Sequence, residues 1–518
     1  MKLTFVQPPG MVAVENYSMI TQPPLGIAYL SAYARQLGHE VHVVDAVGAA
    51  AKRFQPWPYH KKRLIQGLSF PEIVERIPSD SDVIGVSCMF THAWPMVREL
   101  IILLKKEFPN AKLIGGGEHM TAMYDTVLKE APLDVCVMGE GEITLGELLT
   151  ELENGGSDYS KIGGIAFVDA NQSVIKTERR KRVMDPDELP WPAWDLLNPM
   201  AYEVYQGPAM GRTMPMLATR GCPYECTFCS SPNMWTQVWK ARKPAKVADE
   251  IEFYMRLYGA TDFQFQDLTA IVRKDWIVSF CQELINRDLK ITWQLPVGTR
   301  SEAIDAEVAK YLMASGCRHI TYAPESGSEP ILASIKKRVK LDRLEASAKG
   351  CLDAGMRVCL FAIVGFPQEE MQDIKKSFRW FRHMAKLGVH EISISTFTAL
   401  PGTQLFREIN AVTPITVDDA YCYAMSGSAS LGAARSWNSK ISNRKLMFLK
   451  LFGFFQFYST SFIYHPKRLW RLIQNIFLKK QETKVDRVIQ ELIVKLPHAL
   501  GLNKGGAAVE HQEVALQR

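Results

Sequence analysis

The first 154 residues alternate short apolar runs, which indicate buried strands, with segments whose apolar residues recur at helical spacing. The predicted strands are residues 2–7, 40–45, 82–87, 112–115 and 134–138, and the predicted helices are 25–37, 70–77, 93–108, 121–130 and 144–153. This rhythm predicts a flavodoxin-like, doubly wound α/β domain over residues 1–154. In such a sheet, ligands bind at the carboxyl ends of the strands.

A second alternation follows a segment rich in turn residues. Residues 155–212 contain Gly155-Gly156, turn residues that predict a hairpin around 169–172, and the basic run Arg179-Arg180-Lys181-Arg182. Together these features indicate a linker. Strands are then predicted at 216–219, 262–265, 292–296, 319–323, 358–364 and 391–395, with helices between them. Residues 213–402 therefore predict a partial (β/α)6 barrel. The remainder, 403–518, is expected to be a mainly helical C-terminal region.

Composition narrows the class of protein. The 518 residues are 22% charged and 47% hydrophobic, which excludes a disordered polyelectrolyte and a polytopic membrane protein. The ten cysteines are too scattered for a secreted disulfide scaffold and favour a reducing compartment, here a cytoplasm. The N-terminal apolar run ends at Gln7-Pro8-Pro9-Gly10 and is too short for a secretory signal.

Positive charge is concentrated in one segment. Residues 435–480 hold ten Lys or Arg, no Asp or Glu, and eleven aromatic residues. Their uncharged stretch, 451–464, is shorter than the roughly 20 residues of a spanning helix. We expect either peripheral contact with the inner face of the membrane or a helical cap buried against the barrel. Clustered large apolar residues argue against a nucleic-acid partner.

The sharpest chemical signal directly follows the first barrel strand. Cys222, Cys226 and Cys229 form a C-x3-C-x2-C triad, whose thiolates can bind three irons of a [4Fe-4S] cluster and leave the fourth iron open. A zinc ribbon is the alternative, but it requires a second ligand pair nearby and the next cysteine is Cys281.

At this triad, with Phe228 in the aromatic position, the sequence resembles the radical SAM superfamily. The resemblance implies that the open iron chelates S-adenosylmethionine (SAM), whose reductive cleavage gives a 5′-deoxyadenosyl radical. Arg300 and Arg338 are candidate partners of the SAM carboxylate. Residues 361–367 resemble the family's element that packs on adenine, and Glu369 and Glu370 both lie near the last position of that element. The chain departs from the family pattern at Leu268 and Phe361. The resemblance implies SAM contacts at Phe228, Gln266, Asp267, Glu325, Ser326 and Gly365.

The strand ends carry Gly115-Gly116-Gly117-Glu118-His119-Met120-Thr121 and Met138-Gly139-Glu140-Gly141-Glu142. They resemble the G-G-x-H-x-T and G-E-G-E motifs of the cobalamin-binding domains that are fused to such barrels. Strand-end glycines allow a backbone to approach a flat corrin ring closely, although tight turns in any doubly wound fold are the alternative. There is no D-x-H-x-x-G motif with its cobalt-ligating histidine, so His119 is expected to be structural or to contact the nucleotide tail, and Cys88 to be a buried small side chain. The implied cobalamin contacts are Gly115, Gly116, Gly117, His119, Thr121, Gly139, Glu140, Gly141 and Glu142.

The resemblance is closest to the subgroup that contains the anaerobic magnesium-protoporphyrin monomethyl ester cyclase and radical SAM C-methylases. It implies an enzyme that methylates an unactivated carbon of a small apolar or natural-product molecule, with an electron from flavodoxin or ferredoxin. The alternatives are an oxidative cyclase or ring-rearranging enzyme with the same cofactors, and a cobalamin-independent radical SAM enzyme. A methylthiotransferase would need a second cysteine trio, and a cobalamin sensor would not need a cluster loop.

Overall fold

The computed structural model describes residues 1–14, 22–202, 210–429 and 434–478, together with residues 483, 485, 486 and 489. Parts of the predicted linker 155–212 and of the predicted regions 435–480 and 403–518 lie outside the described residues.

The N-terminal domain is built on a seven-stranded sheet. Its five parallel strands follow the order β3-β1-β6-β7-β8, which is the flavodoxin-like arrangement that the sequence predicts. The strands of this region are β1 (Lys2–Gln7), β2 (Gly10–Ala13), β3 (Glu40–Asp45), β4 (Phe54–Pro56), β5 (Arg63–Gln66), β6 (Val83–Ser87), β7 (Lys112–Gly116), β8 (Val135–Val137), β9 (Ile165–Val168) and β10 (Val174–Lys176).

Five helices cover the two faces of this sheet: α1 (Leu25–Gln36), α2 (Phe70–Arg76), α3 (Trp94–Glu107), α4 (Glu118–Glu130) and α5 (Glu142–Glu153). The helices α4 and α5 begin three and two residues before their predicted starts, because Glu118 and Glu142 already occupy the first turn. Acidic residues are favourable there, next to unpaired backbone N–H groups.

Two features of this domain differ from the prediction. The hairpin β9–β10, expected in the linker, extends the main sheet, since β9 pairs antiparallel with β8. The strands β2, β5 and β4 form a small antiparallel sheet that the sequence did not predict. Short strands with little alternation give no clear periodicity.

The second domain is an open barrel of six parallel strands in chain order. They are β11 (Thr213–Met216), β14 (Asp262–Phe265), β15 (Thr292–Thr299), β16 (Cys317–Glu325), β17 (Arg357–Val364) and β18 (Glu391–Thr396). The first strand ends where the prediction placed its start. Residues beyond it form β12 (Thr219–Arg220), which pairs antiparallel with β13 (Lys240–Ala241).

Helices separate the barrel strands and pack on the outside. They are α6 (Ser231–Trp235), α7 (Pro244–Tyr258), α8 (Lys274–Asn286), α9 (Ala306–Ala314), α10 (Glu329–Ser334), α11 (Leu341–Asp353) and α12 (Met371–Leu387). The C-terminal helices are α13 (Gln404–Val412), α14 (Asp419–Met425), α15 (Asn443–Tyr464) and α16 (Pro466–Phe477).

Alternation along the barrel strands separates an apolar outside from a polar inside. Phe263 and Phe265 of β14 belong to the main apolar core, whereas the intervening Gln264 does not. Ile320 and Tyr322 of β16 likewise belong to this core, while Thr321 between them points the other way. The barrel interior is therefore lined by polar side chains, which suits a polar ligand better than a packed core.

Candidate active site

The cysteine triad lies on the loop that follows β12, at the carboxyl end of the first barrel strand. Cys222, Cys226 and Cys229 are partly exposed, whereas the other seven cysteines are buried. Gly221 starts the loop at φ +85°, and a Cβ there would lie 2.1 Å from the carbonyl oxygen of Val238. Only glycine fits this position without a backbone shift.

Burial dominates the electrostatics of the three thiols. It raises the pKa of each, and together with the charges of Cys222 and Cys226 it raises the pKa of Cys229 to about 12. The positive charge of Lys337 opposes this for all three thiols, and the charge of Arg300 opposes it for Cys222 and Cys226. A thiolate centre here is therefore supported by two cations.

Among the described residues, no three His, Cys, Asp or Glu side chains are close enough to hold a single metal ion. The three cysteines of a [4Fe-4S] cluster bind three different irons. Their placement on one loop, each electrostatically coupled to the others, matches that requirement.

Asp267 holds the strand that leads into the cysteine loop. Its carboxylate accepts hydrogen bonds from the backbone N–H of Ala218 (3.2 Å) and of Thr219 (2.5 Å) and from the Thr219 hydroxyl (2.6 Å). Burial raises the pKa of Asp267 to about 6. Protein donors thus contact both oxygens of Asp267, and its predicted contact with SAM stays a prediction.

Glu325 ends β16 at φ +68° and is almost fully buried. Its Oε1 accepts a hydrogen bond from Lys337 Nζ at 2.9 Å, so the carboxylate predicted to meet SAM already has a cationic partner. Ser326 turns the other way. Its hydroxyl lies 3.0 Å from that of Ser377 on α12, which fixes the turn to that helix.

The turn after β17 is closed by protein groups as well. Gly365 donates its N–H to Glu369 (2.5 Å), and a Cβ at Gly365 would lie 2.6 Å from Leu446 of α15. Burial raises the pKa of Glu369 to about 7, while Glu370 is the partly exposed N-cap of α12. Phe228 packs edge-on against Phe366 of the same turn. These contacts hold the turn within the protein, and the SAM contacts predicted for Gly365 and Phe228 stay predictions.

The two candidate arginines differ in exposure. Arg300 is buried, stacks on Tyr224 of the cysteine loop at 3.8 Å and pairs with Glu302. Arg338 is 78% exposed, and its guanidinium lies 3.9 Å from Glu225. Only Arg300 lies inside the site.

Several polar atoms at the carboxyl ends of the barrel strands are buried without a hydrogen-bond partner among the described residues. They belong to Gln266 (Nε2), Thr299 (Oγ1), Arg300 (Nη1), Ser301 (Oγ) and Thr321 (Oγ1). Such atoms are costly unless a ligand or water completes them. The Nε2 atom of Gln266 is thus available for the predicted SAM contact.

The glycines at the carboxyl edge of the N-terminal sheet are not equivalent. A Cβ at Gly115 would lie 2.3 Å from the Met120 sulfur, so this glycine allows α4 to pack and does not face a ligand. Gly117, at φ +113°, lies against the Cys88 carbonyl. A Cβ at Gly116 would meet only one atom, at 4.0 Å. Gly116 is therefore the open position that a flat ligand could approach.

The remaining predicted cobalamin residues fix the edge itself. His119 is buried beside Trp94, its Nδ1 lies 3.1 Å from the Thr91 hydroxyl, and burial lowers its pKa to about 3. Thr121 accepts the N–H of Gly139 (3.1 Å) and donates to the Gly117 carbonyl (2.9 Å), and its hydroxyl lies 3.3 Å from the Met234 sulfur. The Nε2 atom of His119 is buried without a hydrogen-bond partner among the described residues, so both expected roles, structural support and a contact to the nucleotide tail, stay predictions.

The two glutamates of the G-E-G-E motif meet arginines in the described fold, and their predicted cobalamin contacts stay predictions. Both are buried and paired with arginines, Glu140 with Arg182 and Arg220, and Glu142 with Arg220. A Cβ at Gly141 would contact Leu30 of α1. This turn therefore packs within the protein and contacts Arg220, which lies two positions before Cys222.

With this geometry, comparisons with known proteins identify both domains. Residues 20–149 match the B12 binding domain, and residues 216–381 match the radical SAM superfamily. The chain is a cobalamin-binding radical SAM enzyme. Its cofactors are cobalamin, SAM and a [4Fe-4S] cluster.

Similar proteins include an uncharacterized methyltransferase of Pyrococcus horikoshii, 28% identical over 79% of this enzyme and 83% of that protein. The anaerobic magnesium-protoporphyrin IX monomethyl ester cyclase of Rubrivivax gelatinosus is 27% identical over 77% of this enzyme and 70% of its own length. The structure of TsrM from Kitasatospora setae, with cobalamin and a [4Fe-4S] cluster bound, has a TM-score of 0.59 at 17% identity, covering 79% of this enzyme and 75% of that chain.

The residues present fit these cofactors. The partly exposed thiols suit the cluster, the unpartnered polar atoms suit SAM, and the open backbone at Gly116 suits a corrin face. Sequence reasoning missed Lys337, which supplies charge between Glu325 and the thiols, and gave no role to Arg182 or Arg220. Arg182 belongs to the basic run 179–182 and Arg220 directly precedes Gly221, but the partners of both arginines are distant in sequence.

Proposed function

We propose that the enzyme transfers a methyl group to an unactivated carbon of a small, mainly apolar molecule. The observation that carries this proposal is that the cysteine loop and the carboxyl edge of the B12-binding sheet meet. Just after the loop, the Met234 sulfur lies 3.3 Å from the Thr121 hydroxyl, and Asn233 Nδ2 lies 3.5 Å from Glu118 Oε1. A substrate at this junction can reach both domains at once.

When bound, the cofactors supply hydrogen abstraction and a transferable methyl group. The chain's own residues hold and orient them. The three cysteines anchor the cluster loop, Asp267 fixes its preceding strand, and Lys337 provides positive charge beside the thiols. Gln266 and Arg300 offer unpartnered donors to a polar ligand inside the barrel. An external flavodoxin or ferredoxin would supply the electron.

The similar methyltransferase from Pyrococcus favours methylation, and the Rubrivivax cyclase keeps oxidative cyclisation as the second candidate. Cells with and without the enzyme, grown on methionine with a trideuterated methyl group, distinguish the two. Methylation predicts a metabolite that gains the whole labelled methyl group only when the enzyme is present. Cyclisation predicts a metabolite that loses hydrogen and carries no label. Cells producing the Cys226→Ala variant are the matched control.

We also propose peripheral contact with an anionic membrane through the last two described helices. The helix α15 packs on α12 and β18 with Leu446, Leu449 and Phe457 buried. Its opposite side exposes Phe448, Phe455 and Ile463, and α16 continues this surface with Leu469, Trp470, Ile473 and Phe477. Aromatic residues beside cations favour the headgroup region of a bilayer.

Three of the ten cations in residues 435–480 are buried or paired within the protein and do not support this contact. Lys450 is buried, Lys440 pairs with Glu370, and Arg468 donates to the carbonyls of Gly388 and Val389. Lys479 and Lys480 lie outside the described residues. Exposed cations on the two helices are Arg444, Lys445, Lys467 and Arg471. At about 1 kcal/mol each near an anionic surface, they supply about 4 kcal/mol.

Length and composition alone would allow α15, with 22 residues, to cross a membrane, but a third of its most apolar window is buried against the protein. Surface contact therefore fits better than spanning. Flotation with anionic liposomes at low salt should carry the enzyme upward, and high salt should release it. A variant with Phe455, Trp470 and Phe477 each changed to Ser should stay at the bottom while keeping its fold, because all three are exposed. Wild-type enzyme that never floats would contradict the contact.

A further inference from the structure

Four charged side chains from three parts of the chain meet in one buried group, here called the junction cluster. Glu140 lies in the turn between β8 and α5, Glu142 begins α5, Arg182 comes from the linker, and Arg220 ends β12. Each side chain is only 5–7% exposed. Charges are this deeply buried only when they are paired.

The pairing is reciprocal. Arg220 donates from Nη2 to Glu142 (2.7 Å), and its Nη1 lies 3.4 Å from Glu140. Arg182 donates from Nε to Glu140 at 2.5 Å, and the N–H of Val183 adds a bond to the same carboxylate at 3.0 Å. Two positive and two negative groups therefore neutralise one another. Burial favours the neutral acid at Glu142, but the charge of Arg220 holds the pKa of Glu142 below its usual value.

The junction cluster reaches both ends of the cysteine loop. Arg220 stands two residues before Cys222 and also stacks on Tyr29 of α1, 4.7 Å from the ring centre. Arg182 donates to the carbonyls of Trp235 and Val238, beyond the last cysteine, and stacks on the Trp235 ring. Between these anchors, Gly221 is pressed against Val238 and the Arg182 guanidinium. The loop cannot shift relative to the B12-binding sheet without breaking these contacts.

We propose that the junction cluster sets the position of the cysteine loop against the cobalamin edge, so that Glu140 and Glu142 are positioning residues that act through Arg220 and Arg182. This proposal rests on the proposed function, because it assumes that one substrate must be reached from both domains. Reactions between two held groups are sensitive to placement, and a displacement of about 1 Å can cost on the order of 100-fold in rate. The carboxylates contribute by geometry and do not touch the corrin.

The test compares three reconstituted variants with the wild type: Glu142→Gln, Arg220→Gln, and the two changes together. Retained cobalamin, bound iron, the EPR spectrum of the reduced cluster with SAM, and the rate of 5′-deoxyadenosine formation are measured. Each single change leaves a buried charge uncompensated, whereas the double change removes both charges. We expect the single variants to keep about one cobalamin and four irons per chain, to show an altered EPR spectrum and to cleave SAM at least tenfold more slowly. The double variant should also stay slow, because it lacks the positioning contacts although no charge is left unpaired; recovery of its rate would mean that only charge burial matters and would contradict the proposal.

Two further results would overturn the proposal. Loss of cobalamin by Glu142→Gln with an unchanged rate of SAM cleavage would make this carboxylate a corrin contact. Single variants with the wild-type spectrum and rate would leave the junction cluster without a positioning role. If a single variant does not fold, Arg220→Lys keeps the charge but loses the paired geometry, and a wild-type EPR spectrum in that variant also contradicts the proposal. Gly116→Val provides the separate check on cobalamin binding, since failure there concerns the proposed function alone.

Discussion

The cysteine loop and the G-E-G-E turn lie side by side, and both follow a strand, yet their side chains are used differently. The three thiols are partly exposed, and the hydrogen bond described to one of them is a long N–H contact from Ser231 to Cys229, at 3.4 Å. The two glutamates are buried and neutralised by arginines. The cysteine side chains are therefore accessible to a ligand, whereas the glutamate side chains pair with arginines at the contact between the two domains.

The difference follows from how far each group's partners lie along the chain. The three cysteines are within eight residues of one another, so their spacing alone indicates a shared ligand. The glutamates meet arginines 42 to 80 residues away. A motif whose partners are local reveals its role in the sequence, whereas a motif completed by distant residues reveals it only in the fold.

The largest expected effect tests the cysteine loop, whose thiols are partly exposed. Cys226→Ala should remove one iron ligand and thereby abolish both the cluster absorbance and the reductive cleavage of SAM. Cys281→Ala, in the buried core of α8, is the matched control and should keep both. A full four-iron complement in Cys226→Ala would contradict the assignment of the loop.

The next effect separates two adjacent glycines. Gly116→Val should fold and lose cobalamin, because its side chain enters open space at the strand end. Gly115→Val should instead destabilise the N-terminal domain by a few kcal/mol, since its Cβ would overlap Met120 and Leu133. Thermal unfolding and the cobalamin retained after desalting measure the two outcomes. Equal loss of stability in both variants would show that Gly116 is also a packing position.

Much of the fold could be predicted from the sequence, because both domains alternate strands and helices with clear periodicity. The small sheet of β2, β4 and β5 could not, since strands of three or four residues carry too little pattern. In the site, the cysteine triad could be predicted as one group, because its members are close in sequence and directly follow a strand. The protein partners of Asp267, Glu140 and Glu142 could not, because Thr219, Arg182 and Arg220 meet them only in the folded chain.

A smaller effect distinguishes the two arginines near the loop. Arg300→Gln should raise the KM for SAM about tenfold, because it removes a buried cation with an unpartnered nitrogen facing the barrel interior. Arg338→Gln should change KM by no more than about twofold, since exposed ion pairs contribute little. The dependence of 5′-deoxyadenosine formation on SAM concentration measures both, with iron content as the check on the cluster. Equal changes in the KM for SAM would mean that both arginines act only through their positive charge.

The smallest effect concerns Glu118, the residue of the cobalamin edge that faces α6. Burial raises its pKa to about 8, against 4.5 as its ordinary value. Between these pH values the unfolded chain loses this proton while the folded protein keeps it, so the contribution of Glu118 to stability falls as pH rises through this window. Glu118→Gln removes the penalty. Its Tm should equal that of the wild type near pH 4.5 and exceed it near pH 8, by on the order of 1–2 °C.

Glu72 provides a control of opposite sign to Glu118. Hydrogen bonds from Arg53 and Ser69 lower the pKa of Glu72 to about 2, so its stabilisation is present above its ordinary pKa of 4.5 and is lost as pH falls toward 2. Glu72→Gln should therefore lower Tm at pH 7 and converge with the wild type in acid. Differential scanning fluorimetry of both variants across pH measures the two slopes. If the Tm difference of Glu118→Gln does not change with pH, Glu118 titrates as an exposed carboxyl, and the contact between the cobalamin edge and α6 is looser than its distances indicate.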